Sequence, residues 1–105
     1  MSQAYKTWSL HAVTASTTTD LITPASSLTS VLSVARFTNT GSVQGNLTLT
    51  RTDSSNNVLA TILTTEPIAP NATFELRGLA CLNPNKIRVY FDQSGLDCDV
   101  SGSEG

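Results

Sequence analysis

Apolar and polar residues alternate with a period of two along most of this 105-residue chain, the pattern that a half-buried β-strand imposes because successive side chains leave opposite faces. In residues 5–13, YKTWSLHAV, the residues Trp8, Leu10 and Ala12 share one face and Thr7, Ser9 and His11 the other. Residues 30–39 form the most apolar segment, with Val31, Ser33, Ala35 and Phe37 on one side and Leu32, Val34 and Arg36 on the other. In 46–52, Leu47 and Leu49 point inward while Thr48, Thr50 and Thr52 point outward. The DSSNN that follows at 53–57 supplies turn residues that tolerate positive φ, so 58–64 reads as the second half of a hairpin. Phe74 and Leu76 of TFELR point inward, and KIRVYFD at 86–92 alternates most cleanly of all, with Ile87, Val89 and Phe91 inward.

The stretches between these strands set the architecture. Residues 14–30 are rich in Thr and Ser and contain Pro24, which leaves room only for a short edge strand around Leu21 and Ile22. EPIAPNA at 66–72 carries two prolines and reads as a crossing loop, and a last strand over 97–101 leaves a short polar tail at 101–105. Seven to eight short antiparallel strands with frequent turn signals and no helical period predict one all-β domain over 1–105, a β-sandwich, with a jelly roll or small barrel as the competing closure. Its expected core is Trp8, Leu10, Phe37, Leu47, Leu49, Phe74, Leu76, Ile87, Val89 and Phe91.

Composition narrows the function classes. Charged residues make up 13% of the chain, about half the average share, so hydroxyls replace charges on the surface. The net charge is −2 and the six cations, Lys6, Arg36, Arg51, Arg77, Lys86 and Arg88, are scattered, which gives nucleic acid no electrostatic footprint. No apolar run approaches the roughly 18 residues of a membrane span, and the opening MSQAYKTWSLHAV lacks a basic region followed by an apolar one. A chain made and kept in a cytoplasm is the expectation. Cys81 and Cys98 are then expected as buried free thiols, with a bridge between them as the alternative.

Groups for catalysis are few. His11 is the one imidazole, placed by parity on a polar strand face, and no G-x-S-x-G elbow or local pattern sets a nucleophile against it. Asp97 and Asp99 share a strand face and Asp53 opens a polar loop, but the EF-hand spacing is missing and turn geometry explains an Asp there. NLT at 46–48 and NAT at 71–73 fit the glycosylation pattern only by chance in a chain without export. No catalytic residue, cofactor or metal is assigned. The informative feature is the apolar content on both sides of one strand: Leu32 and Val34 opposite Ala35 and Phe37, with Leu59 and Leu63 as similar cases. Apolar surface on the outside of a sandwich marks association, so these four are candidate subunit contacts unless the 14–30 segment covers them.

The order SVARFTNTG, GNLTLT, IAPNATFEL and KIRVYF, closed by a short strand before a Ser/Gly tail, resembles immunoglobulin-like sandwich modules in which an Asn-Thr-Gly turn joins two strands. More narrowly it is similar to small virion proteins of tailed bacteriophages. That resemblance implies a non-enzymatic structural subunit, a homo-oligomer bound in many copies to a major capsid protein or a tail protein, cementing or decorating the virion. A tail or head–tail connector accessory protein is the alternative within the same class. A carbohydrate-binding or adhesin module is the alternative outside it, with Trp8, Tyr5 and Tyr90 as its available aromatic platforms.

Overall fold

The computed structural model describes residues 4–105, and among them eight strands and no helix. The strands are β1 (Ala4–Val13), β2 (Thr19–Ile22), β3 (Thr29–Asn39), β4 (Gly45–Thr52), β5 (Val58–Ile68), β6 (Thr73–Leu82), β7 (Lys86–Phe91) and β8 (Leu96–Glu104). They form two four-stranded antiparallel sheets, ordered β1-β8-β3-β6 and β2-β7-β4-β5. The all-β sandwich is therefore as expected. Its connectivity is that of a jelly roll: β4 pairs with β5, β3 with β6, β2 with β7 and β1 with β8, as in one long hairpin rolled up on itself. An immunoglobulin order would put the first two strands side by side in one sheet. Here they lie in different sheets. The immunoglobulin-like order expected from the resemblance thus gives way to the jelly roll, the competing closure, because alternation says which face a residue occupies but not which strand lies beside it.

Phe37, Leu47, Leu49, Ile87, Val89 and Phe91 are buried between the sheets, joined by Ile22, Leu96 and Val100. Trp8, Leu10, Phe74 and Leu76 also pack on that core but are only half-buried. The reason is position: they sit on β1 and β6, the two edges of their sheet, where one flank of each side chain has no neighbour.

In β3 the expected parity fails at one point. Along the β3–β8 ladder Leu32 faces Gly102 and Val34 faces Ser101, so Ser33 is an extra residue with no partner on β8. This β-bulge shifts the phase of the strand. Before it Ser30 and Leu32 point inward; after it Ala35, Phe37 and Asn39 do. Leu32 is thus a core residue, and Val31, expected inside, is half-buried on the outer face.

Two further expectations are corrected. The crossing loop begins later than the prolines suggest, because β5 continues through Pro67 to Ile68. β5 is an edge strand, so a residue without an N–H can sit in it where the ladder has no neighbour on one side. Residues 101–105 are no tail either. β8 runs to Glu104 between β1 and β3, and Gly105 exchanges two backbone hydrogen bonds with Thr29, of 2.9 and 3.0 Å. Glycine at 102 fits this central position because a Cβ there would lie 2.0 Å from the Val31 carbonyl oxygen and 3.0 Å from Leu32 Cα.

At one end of the sandwich the buried Asn39 fixes three connections. Its Nδ2 donates to the carbonyls of Val43 (2.8 Å) and Ile68 (3.0 Å), and its Oδ1 accepts from the Gly41 N–H (2.9 Å). Next to it the Thr40 N–H donates to the Gly95 carbonyl at 2.8 Å, so the β3–β4 turn is held against the β7–β8 turn. The Asn-Thr-Gly turn seen in the sequence is therefore a clamp rather than a surface loop.

Phe37→Ala or Phe91→Ala should cost about 3–5 kcal/mol in urea unfolding, since both rings are fully buried. Gly102→Ala should be more destabilising than Gly78→Ala. The latter meets nothing within 4 Å and loses only the left-handed preference of a φ of 75°, about 1–2 kcal/mol.

Candidate functional site

His11 and Asp97, the residues on which chemistry would have to rest, meet on the surface. His11 Nδ1 lies 3.0 Å from Asp97 Oδ1, with the imidazole 88% exposed. Asp97 is already engaged by the backbone, accepting from the Ala12 N–H at 2.8 Å where β1 bulges against β8. The pair therefore stabilises an irregular strand end. Asp53 behaves alike: it accepts from the N–H groups of Ser55 and Asn57, each 2.9 Å, and from Asn57 Nδ2 at 3.0 Å, which is the cap of the β4–β5 turn. Asp99 shares the outer face of β8 with Asp97, two residues away, and lies opposite Arg36.

Cys81 and Cys98 are free and buried. Both face the core, yet their neighbours on β3 are Ser30 and Phe37, seven residues apart, which separates the thiols by roughly 20 Å. No bridge can span that gap. Burial pushes the Cys98 thiol up to about 12, with the adjacent Asp97 charge adding to the rise, and burial raises Cys81 as well. Neither is a ready nucleophile.

The four candidate contact residues separate. Leu32 is 1% exposed and belongs to the core, because of the bulge. Val34 does face outward, but it is 9% exposed between its cross-strand neighbours Ser101 and Arg77. Leu63 pairs with Leu49 and packs on the core. Leu59 alone is offered to solvent, at 54%. The β2 strand of the 14–30 segment forms a sheet edge that sends Leu21 and Ile22 into the core.

Apart from Val43 beside Asn39 and Tyr5 on β1, the exposed large apolar side chains lie at the end opposite Asn39. Val58 (60% exposed) and Leu59 begin β5, and Leu82 (58%) ends β6. β5 and β6 are edge strands of the two sheets on the same side of the sandwich, since β1 and β2 occupy the other. The three side chains thus mark one corner, a position that period-two reading could not reveal because Leu59 is itself an unpaired bulge residue between Val58 and Ala60. A second surface lies across β1, β8 and β3, where an open groove of about 410 Å³ runs beside Tyr5.

That same end carries a partly buried polar network. Glu104, with its side chain 9% exposed, accepts from Ser30 Oγ (2.9 Å) and from Lys6 Nζ (3.3 Å), and Lys6 Nζ also lies 5.4 Å from the centre of the Trp8 ring. The Ser30 hydroxyl, then Lys6, holds the Glu104 carboxyl below its ordinary range. The Ala12 N–H, then His11, does the same for Asp97, and the Asn57 and Ser55 donors for Asp53.

No family model matches the chain, and no curated protein matches it.

A carboxylate whose folded pKa lies below its unfolded one adds stability above the unfolded value and loses it as pH falls through the folded value. The thermal midpoint should therefore be level near neutrality and fall as pH drops below about 4, where free carboxyls titrate. Glu104→Gln should lower the midpoint at pH 7 and flatten that fall, as measured by circular dichroism melts from pH 2 to 7.

Proposed function

We propose that this chain is a non-enzymatic structural subunit of a tailed-phage virion, a capsid decoration or cement protein that stabilises the shell through repeated contacts with itself and the major capsid protein. The observation that carries it is the apolar corner of Val58, Leu59 and Leu82, three of the five large apolar side chains exposed among the described residues, Tyr5 and Val43 being the others. Isolated exposed apolar residues are ordinary, but a cluster at one corner of a small sandwich marks a contact surface.

Other features agree with a passive role. The jelly roll is an architecture used widely in capsid domains, though a fold by itself names no function. His11, Asp53 and Asp97 are engaged in holding turns and strand ends. A low-charge surface rich in Ser and Thr suits close lattice packing, where each contact is modest and avidity supplies the strength. Residence in the virion follows from this reading, as does homo-oligomeric assembly on the particle. Among the described residues no helix is long and apolar enough to cross a membrane.

Particles carrying the chain should withstand heat or osmotic shock better than particles lacking it. Leu59→Lys, at an exposed position, should leave the purified protein folded while reducing its copy number on particles, read by quantitative mass spectrometry. Unchanged particle stability without the protein would remove the cementing role, and labelling confined to the tail would move the site to a tail or connector accessory position.

A further inference from the structure

The groove beside Tyr5 has a chemistry distinct from the apolar corner. It lies on the outer face of the β1-β8-β3 strands, lined by Tyr5, Lys6, Thr7, Ser33, Ser101 and Gly102. Tyr5 is 99% exposed, so its ring spends no surface on the protein's own core. Thr7 and Ser101 are direct cross-strand partners, which brings their hydroxyls to one face side by side. Ser33 is the extra residue of the β3 bulge, and that bulge is what turns its hydroxyl outward onto the same face. Gly102 contributes backbone alone.

None of these three hydroxyls is bonded to another described side chain. The one charged residue at the groove is already paired: the Lys6 ammonium lies 3.3 Å from Glu104, with its side chain 41% exposed. The lining is therefore neutral, with a solvent-facing aromatic ring on one flank and hydroxyls that both donate and accept.

We infer that this groove is a binding subsite for a neutral saccharide, with Tyr5 stacking on the apolar face of a sugar ring and Thr7, Ser33 and Ser101 exchanging hydrogen bonds with its hydroxyls. A sugar ring presents C–H groups on its faces and alternating hydroxyls on its rim, the complement of an aromatic plane bordered by side chains that can each act as donor or acceptor. The groove volume falls within the range of small-molecule sites and has room for a monosaccharide or disaccharide. The residues lining the groove include no carboxylate to hold a cation, and their one cation, Lys6, is paired with Glu104. Of the other aromatic platforms, Trp8 faces inward and Tyr90 is half-buried on the opposite sheet, so Tyr5 is the one that remains available. This inference goes beyond the structural role and does not depend on it: the groove lies on the β1 side, away from the β5–β6 corner.

The test is a titration of the purified, isotopically labelled full chain with neutral hexoses, N-acetylhexosamines and their disaccharides, followed by amide chemical shifts. At least one sugar should shift the amides of Tyr5, Thr7, Ser33, Ser101 and Gly102 in a saturable way in the millimolar range, as an open single-ring site would. Tyr5→Ala should weaken that binding about tenfold or more, and Ser33→Ala several-fold, with the rest of each spectrum unchanged. Tyr5 packs on nothing, so its loss should leave the fold intact. No shift at these amides with any neutral sugar, binding only of charged sugars, or shifts that persist unchanged in Tyr5→Ala would each overturn the assignment. Particle stability is untouched by any of these outcomes, so failure here is distinct from failure of the cementing role.

Discussion

The single extra residue at Ser33, set against Gly102, is the constraint on which the sandwich depends. It allows one strand to point Leu32 inward near one end and Phe37 and Asn39 inward near the other, so β3 serves the core along its whole length. Without that change of phase, either Leu32 or Phe37 would face solvent. Gly102 is the counterpart: a side chain there would strike the Val31 carbonyl, and β8 could not lie between β1 and β3. The same irregularity lifts Ser33 onto the outer face, where it borders the groove beside Tyr5. Core packing and surface chemistry thus share one local cause.

A large part of this fold is legible in the sequence because inward positions repeat every second residue. KIRVYF is regular from end to end, and Ile87, Val89 and Phe91 are buried as their alternation requires. LTLTRT places Leu47 and Leu49 inside for the same reason. Alternation is blind to bulges, which is why Leu32 and Val31 exchange their expected sides and why Leu63 and Leu59, four residues apart in β5, end in different environments. It is equally blind to partner choice. Nothing in the spacing of strands tells β1 to pair with β8 rather than with β2, and that pairing makes the difference between a jelly roll and an immunoglobulin sandwich. The last strand was expected only over 97–101, and its continuation to Glu104 was hidden for a chemical reason: Ser-Gly-Ser has the composition of a solvated tail, yet a central strand between two crowded neighbours needs a glycine at 102.

The candidate surfaces were less legible than the core. Of the residues that parity marked as outward and apolar, only Leu59 is freely exposed, and its companions Val58 and Leu82 come from two edge strands that meet at a corner only after the hairpin has rolled up. Tyr5 appears in the sequence as one aromatic among several; its separation from Trp8 comes from the β1–β8 register, which turns Trp8 inward opposite Val100 and Tyr5 outward opposite Ser103. Several polar side chains are consumed by structure: Asp53, Asp97 and Asn39 each hold backbone groups that the strand ends would otherwise leave unpaired.

The proposed structural role makes the corner of Val58, Leu59 and Leu82 the surface to examine. The most direct test is a cryo-electron microscopy reconstruction of phage particles that contain the chain, at a resolution that traces β5 and β6. Density for many symmetry-related copies, with Val58, Leu59 and Leu82 buried against a neighbouring subunit, is the predicted result. Copies bound with that corner open to solvent, or particles with no density for the chain, would contradict it.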